Sequence, residues 1–123
     1  TEDEKVKLGV FSTAPSVRHI PVNFFCEVVG TFVLVFVILC NASAGAVAGV
    51  GNLYVFGLIT SIGMSLGGTT GYAINPARDL APRFAHFILP IKGKRDSDWS
   101  YAWVPGLGPV IGCALAAGLY LLA

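Results

Sequence analysis

Gly71-Tyr72-Ala73-Ile74-Asn75-Pro76-Ala77-Arg78-Asp79 is the stretch on which the reading of this chain turns. It sets an asparagine amide, a helix start and a permanent cation among apolar residues. Hydrocarbon penalises such groups, because unsatisfied backbone and bare charge are costly in lipid. The run therefore belongs against a cavity, most simply a water-filled pore. Asn75 is a preferred helix cap, and Pro76 suits the first helical position because its missing N–H is one the helix would orphan anyway. The apolar stretch that follows, residues 75–89, would cover roughly 20 Å as a helix against a bilayer core of about 30 Å. Too short to cross, it predicts a re-entrant half-helix over residues 76–88. Backbone of that kind is tolerated only where protein or a cavity covers it.

Outward from this run the chain divides into apolar spans. Residues 22–41, 53–71 and 101–123 are each about the 20 residues needed to cross the bilayer core as a helix. A small-residue connector, residues 41–51, carries no charge, and residues 92–98 form a charged turn. Tyr101 and Trp103 are candidate interface anchors. Residues 1–21 are polar and mixed, an extramembrane loop leading into the first span. Of the 123 residues, 54% are hydrophobic and 12% charged, with a mean hydropathy of +0.72, well outside the soluble average. The expected class is an all-α membrane protein with three transmembrane helices and one re-entrant half-helix. Three spans put the two ends on opposite sides of the membrane.

A net charge of +1 offers no basic field for nucleic acid. Cys26, Cys40 and Cys113 all sit in apolar stretches, which reads as small buried side chains rather than a disulfide framework. His19 and His86 match no metal-ligand spacing, so no metal or cofactor is expected. There is no recognisable nucleophile–base pair, and nothing asks for an enzyme. The chain begins at Thr1, contains only Met64 and shows no signal peptide, so it reads as a piece of a longer polypeptide.

Several residues carry the chemistry. A half-helix starting at Asn75 points free N–H groups and a positive dipole end into the bilayer, which repels cations and orders hydrogen-bonding solutes. Arg78 follows in the first turn, where a cation is electrostatically unfavourable; a snorkelling arginine is the bland alternative. Facing a pore, its five donors bind solute hydroxyls while its charge excludes cations. Asp79 suits a helix N-terminus and could orient Arg78 through a charge-assisted hydrogen bond. Glu27, a few residues into the first span, is either near enough to the surface to reach headgroups or accepts hydrogen bonds from the turn at 71–76, as structural support. Gly63, Gly67 and Gly71 recur every fourth residue. With Gly30, Gly45, Gly49, Gly108 and Gly112 they form small-xxx-small patterns that allow close helix approach, and a missing side chain also widens any pore. Tyr72 would stand beside Arg78 as an aromatic wall, or serve as an ordinary core tyrosine.

On these residues the chain resembles the aquaporin superfamily. Gly71 to Asp79 is similar to the family's second Asn-Pro-Ala signature with its following arginine, and Asp79 after Arg78 resembles the aquaglyceroporin, or glycerol-facilitator, branch. Gly63 stands at the position of the histidine of strict water channels. Tyr72 matches the aromatic filter position, Pro105 a non-aromatic residue typical of glycerol channels, and Glu27 the buried glutamate of the fourth helix. The resemblance covers roughly residues 9–123 and implies one inverted repeat of an aquaporin-like right-handed helical bundle, the second repeat only. The missing first repeat, with its own Asn-Pro-Ala turn, would be the partner half. It implies a passive channel half for glycerol, water and similar small neutral solutes, with Asn75, Pro76, Ala77, Arg78, Tyr72 and Gly63 at the pore and Glu27 and Asp79 in support. It also implies a multi-pass protein of a bacterial plasma membrane, in contact with the lipid bilayer and homotetrameric at full length. A water-selective pore, a structural membrane module without transport and an intramembrane enzyme are the alternatives.

Sidedness is where residues and resemblance disagree. The family orientation puts the 41–52 connector in the cytoplasm and residues 71–100 outside. The connector has no Lys or Arg, whereas Arg78, Arg83, Lys92, Lys94 and Arg95 lie in the later segment, so the positive-inside rule alone inverts the topology. The family orientation is preferred, since a pore accounts for Arg78 and the absent repeat would help set orientation.

Overall fold

The computed structural model describes residues 3–43 and 50–122; the side chain of Ser43, most of the small-residue connector with Gly45 and Gly49, and Ala123 lie outside the described residues. The elements are α1 (Glu4–Gly9), α2 (Ile20–Ser43), α3 (Gly51–Thr70), α4 (Pro76–Ile88) and α5 (Trp99–Leu122), with no strand among the described residues. Three of them, α2, α3 and α5, are long and apolar enough to cross a membrane. Their starts precede the sequence expectation by about two residues each. Pro21 is accommodated in the first turn of α2, where its absent N–H has no intrahelical partner to lose, and the Asn23 Oδ1 reaches back to accept from the His19 N–H at 2.9 Å.

The expected loop over residues 1–21 is not a free loop. It contains α1, whose N-cap Asp3 accepts from the Lys5 and Val6 N–H groups. It is then tied to the far end of the sequence: Lys7 Nζ donates to the Lys92 and Gly93 carbonyls, Ser16 Oγ to the Gly68 carbonyl, and Arg18 pairs with Asp98. The start of α2, the end of α3, the end of α4 and the start of α5 therefore share one face.

The core is the crossing of α2 and α5, with α3 lighter against α2 and α4 against α5. Without a hydrophobic drive between helices in lipid, close backbone approach is what holds such a crossing. Gly108 and Gly112 supply it. A β-carbon on Gly108 would lie 2.8 Å from Glu27 Cβ. One on Gly112 would sit inside van der Waals contact of the Val28 carbonyl and 3.0 Å from the Phe32 amide nitrogen. Gly112→Ala is expected to destabilise the complete protein by about 1–3 kcal/mol, the usual cost of overpacking. Gly118→Ala, where nothing among the described residues lies within 4 Å, should stay within about 0.5 kcal/mol. Thermal melting in detergent compares the two, and equal stability would remove the crossing from the fold's supports.

Depth follows from helix geometry. Gly30, ten residues beyond the start of α2, meets the side chain of Ile74, to which its own β-carbon would come within 3.1 Å. At 1.5 Å per residue that contact is about 15 Å along the helix, half of a core of about 30 Å. The chain leaving α3 thus descends to mid-depth, and the 13 residues of α4 climb back to the face it left. These are the three spans and the re-entrant half-helix expected from the sequence.

Candidate functional site

The descending turn is built from local chemistry that helices cannot use. Gly71 ends α3 in the left-handed region at φ 80°, and its N–H closes onto the Gly67 carbonyl. Tyr72 and Ile74 also take positive φ, 40° and 42°, a genuine outlier for a β-branched residue that persists only when its surroundings over-determine it. One face of α2 does so. Asn23 Nδ2 donates to the Thr69 carbonyl at 3.2 Å, the Glu27 carboxylate accepts from the Ala73 and Ile74 N–H groups at 2.9 and 2.8 Å, and Gly30 makes room for the Ile74 side chain. Spacings of four and three residues put Asn23, Glu27 and Gly30 on one stripe. Glu27 is 1% exposed, so its carboxylate is buried at the turn and does not reach headgroups.

Asn75 caps α4, its Oδ1 accepting from the Ala77 N–H at 2.9 Å. Its amide NH2 has no acceptor among the described residues. Arg78 lies in the first turn, and no carboxylate pairs with its guanidinium among the described residues. Tyr72, Asn75, Pro76 and Arg78 line a cavity of about 700 Å³. Helices α2, α3 and α5 add apolar lining that includes Leu34, Val35, Ile59, Val110 and Ala114. Ala77, beside them in sequence, supplies the capped N–H rather than a wall.

Three sequence expectations change. Asp79 does not orient Arg78. It is fully buried, accepting from Arg83 Nε at 2.8 Å and Nη2 at 2.9 Å and from the Thr13 N–H and hydroxyl at 2.7 Å each. An arginine four residues on shares its helix face, whereas the next residue points away. Gly63 does not line the cavity. The Tyr72 ring occupies the space its missing side chain leaves: a β-carbon at Gly63 would lie 3.2 Å from Tyr72 Cζ and one at Gly67 2.9 Å from Cδ1. Pro105 is buried within α5 and likewise stands off the cavity; Pro109, one turn on, lines it.

On the expectation of a conducting pore, Gly63→His in the complete protein should act through Tyr72, driving its ring toward the cavity and reducing flux of a larger solute more than that of water. Adding Tyr72→Leu should restore much of the loss, because the displaced ring is gone. Equal loss of both fluxes, without rescue, would mean damage to helix packing instead.

Arg83, counted above only as a loop cation, has no surface charge to offer. All five of its donors are used, on Asp79 and on the carbonyls of Thr13, Ser97 and Asp98. The i,i+4 spacing of Asp79 and Arg83 was the readable signal; nothing local marks Thr13. Lys94 closes the other end of α4, donating to the His86, Phe87 and Leu89 carbonyls, groups every helix C-terminus leaves without partners. His86 is held by Ser97 Oγ at 2.8 Å and the edge of Phe11.

Comparison with known proteins places this geometry. The family model described as Major intrinsic protein matches residues 3–120. A probable glycerol uptake facilitator protein of Thermotoga maritima is 55% identical over 120 residues, covering 98% of this chain and 51% of that protein. The glycerol uptake facilitator protein of Bacillus subtilis is also 55% identical over 120 residues, with 98% of this chain and 44% of that one covered. Among solved structures, the aquaglyceroporin from Plasmodium falciparum superposes with a TM-score of 0.77 at 32% identity, over 89% of this chain and 48% of that one. The chain spans about half the length of these relatives.

Proposed function

Because the chain belongs to the major intrinsic protein family, we propose that it is the second half of a passive membrane channel for glycerol and other small uncharged solutes, with some water passage. The observation that carries this reading is the mixed lining of the cavity. Arg78, Asn75 and Tyr72 line it together with aliphatic side chains of α2, α3 and α5. A polyol has the matching surface, hydroxyls along one edge and C–H groups along the other. Its hydroxyls would replace lost water on the donors of Arg78 and Asn75, while its carbon edge meets a wall that offers water no hydrogen bonds. The Arg78 guanidinium and the positive end of α4 together set an electrostatic barrier to cations. An uncharged solute bound only by hydrogen bonds and exchanged for water can leave as readily as it enters, which conduction requires.

The same reading makes the complete protein a multi-pass membrane protein of a bacterial cell, joined to its other repeat and assembled as a homotetramer. Support for the other repeat is the uncovered surface of α3, where Leu53, Phe56 and Met64 are exposed, and the half-length match to the relatives. No catalytic step enters, and the relatives' names describe facilitators rather than enzymes.

Swelling of liposomes holding the complete protein under a glycerol gradient tests the reading directly. Fast swelling that exceeds protein-free liposomes is the expected result, and swelling at the protein-free rate would leave only a structural module. Arg78→Ala should keep the fold, since no carboxylate among the described residues pairs with Arg78, but admit cations and alter the order of solute preference. Unchanged selectivity in an assembled Arg78→Ala protein would take Arg78 out of the filter.

A further inference from the structure

All eight lysines and arginines of the chain, residues 5, 7, 18, 78, 83, 92, 94 and 95, belong to the face shared by the N-terminal segment and the α4–α5 connection, or to α4 itself. Most are accounted for: Arg83 by Asp79, Lys94 and Lys7 by carbonyls, Arg78 by the cavity. A second, smaller pocket of about 210 Å³ collects three others, Lys5, Arg18 and Arg95, over a floor that includes Leu8 and Pro15. One carboxylate faces them, Asp98, and it is engaged by Arg18 at 2.9 Å and is 8% exposed. Asp96, on the solvent side, stands 3.9 Å from Arg95 and is 76% exposed. The lining of the pocket sets three positive charges against one negative charge, Asp96 adds a second at its solvent edge, and no carboxylate pairs with Lys5 among the described residues. Like charges gathered round one concavity repel unless an anion joins them.

Two further observations say what kind of anion. The pocket lies at headgroup depth. Arg18 is two residues before α2 begins and donates to Ser100 in the first turn of α5, between Trp99 and Trp103, each 45% exposed; tryptophan favours the membrane–water interface. Val6, Val10 and Val17, each next in sequence to a residue that lines the pocket, are also all at least half exposed. Arg18 is already oriented, held by Asp98 and stacked 5.5 Å over the Tyr101 ring, so its ordering costs little on binding.

We propose that Lys5, Arg18 and Arg95 form a binding site for the phosphodiester of an anionic phospholipid headgroup, with the exposed valines against its glycerol and upper acyl region. The site depends on the membrane placement of the chain and not on what the pore conducts. Glycerol flux is therefore expected to survive its loss, and failure of either reading leaves the other standing.

Native mass spectrometry of the complete protein in detergent, titrated with palmitoyl-oleoyl phosphatidylglycerol or the phosphatidylcholine of the same chains, tests it. The anionic lipid should bind more tightly, and Lys5→Gln with Arg95→Gln should cut that preference by about 25-fold, at roughly fivefold for each basic residue removed. Lys5→Gln alone should lose part of it. Lys92→Gln removes an equal charge from the same face outside the pocket and should change nothing. Loss of the preference in Lys92→Gln, or its retention in the double variant, overturns the site. Displacement of the lipid by equimolar inorganic phosphate would show a site for free phosphate and overturn the headgroup assignment.

Discussion

Arg83→Met in the complete protein is expected to lower its unfolding free energy by about 3–5 kcal/mol, the cost of leaving a buried charge without its partner. Asp79 and Arg83 are both fully buried, and the guanidinium joins three segments that are distant in sequence: α4, the N-terminal segment at Thr13 and the connection at residues 97–98. Met fills a similar volume but supplies none of the five donors, so Asp79 keeps only its two bonds from Thr13. Removing both charges, Arg83→Met with Asp79→Leu, should recover part of the loss, because a buried pair replaced by apolar side chains is often near neutral. Recovery stays incomplete, since the buried Thr13 N–H then lacks its acceptor at about 1–3 kcal/mol. Thermal melting in detergent gives the order wild type, double variant, single variant. A single variant as stable as wild type would mean that the pair does not clamp α4.

What was legible in the sequence is what apolar runs and capping chemistry encode. The three spans show because about 20 apolar residues have no other stable use. The half-helix shows because Asn75-Pro76 starts a helix that cannot reach the other side. Arg78 at a cavity is legible by elimination, since a bare guanidinium in lipid has nowhere else to go. The N-terminal clamp is not legible. Thr13 and Asp79 are 66 residues apart, and a hydroxyl in a polar segment carries no sign of its distant partner. The role of Gly63 is half legible: its lack of a side chain is plain, but that a neighbouring ring takes the space depends on the positive φ of Tyr72, which no propensity forecasts. The cation count is an indirect guide to sidedness for the same reason. Arg83 and Lys94 serve contacts inside the fold, neutralised or bound to carbonyls, so their number in the later segment measures local structure as well as topology.

Glu27→Ala is the other large effect, and its companion Glu27→Gln separates a brace from a pore wall. The carboxylate holds two consecutive backbone N–H groups of a turn that has no regular partners, one of them at Ile74 with φ 42°. Ala removes both acceptors, and each buried N–H then costs about 1–3 kcal/mol, so a total of about 2–6 kcal/mol is expected. The freed turn is also released from its strained dihedrals, which brings the start of α4 and Arg78 out of register with the cavity. Gln preserves the shape and one carbonyl acceptor, but its NH2 faces the second N–H, so it should fall between the two. The expected order of thermal stability of the complete protein in detergent is wild type, then Gln, then Ala, with the Gln protein keeping its solute preference in liposomes. An Ala protein as stable as wild type would show that Glu27 does not hold the turn. A Gln protein of wild-type stability but altered solute order would move Glu27 from the brace into the pore wall, against its burial behind Ala73.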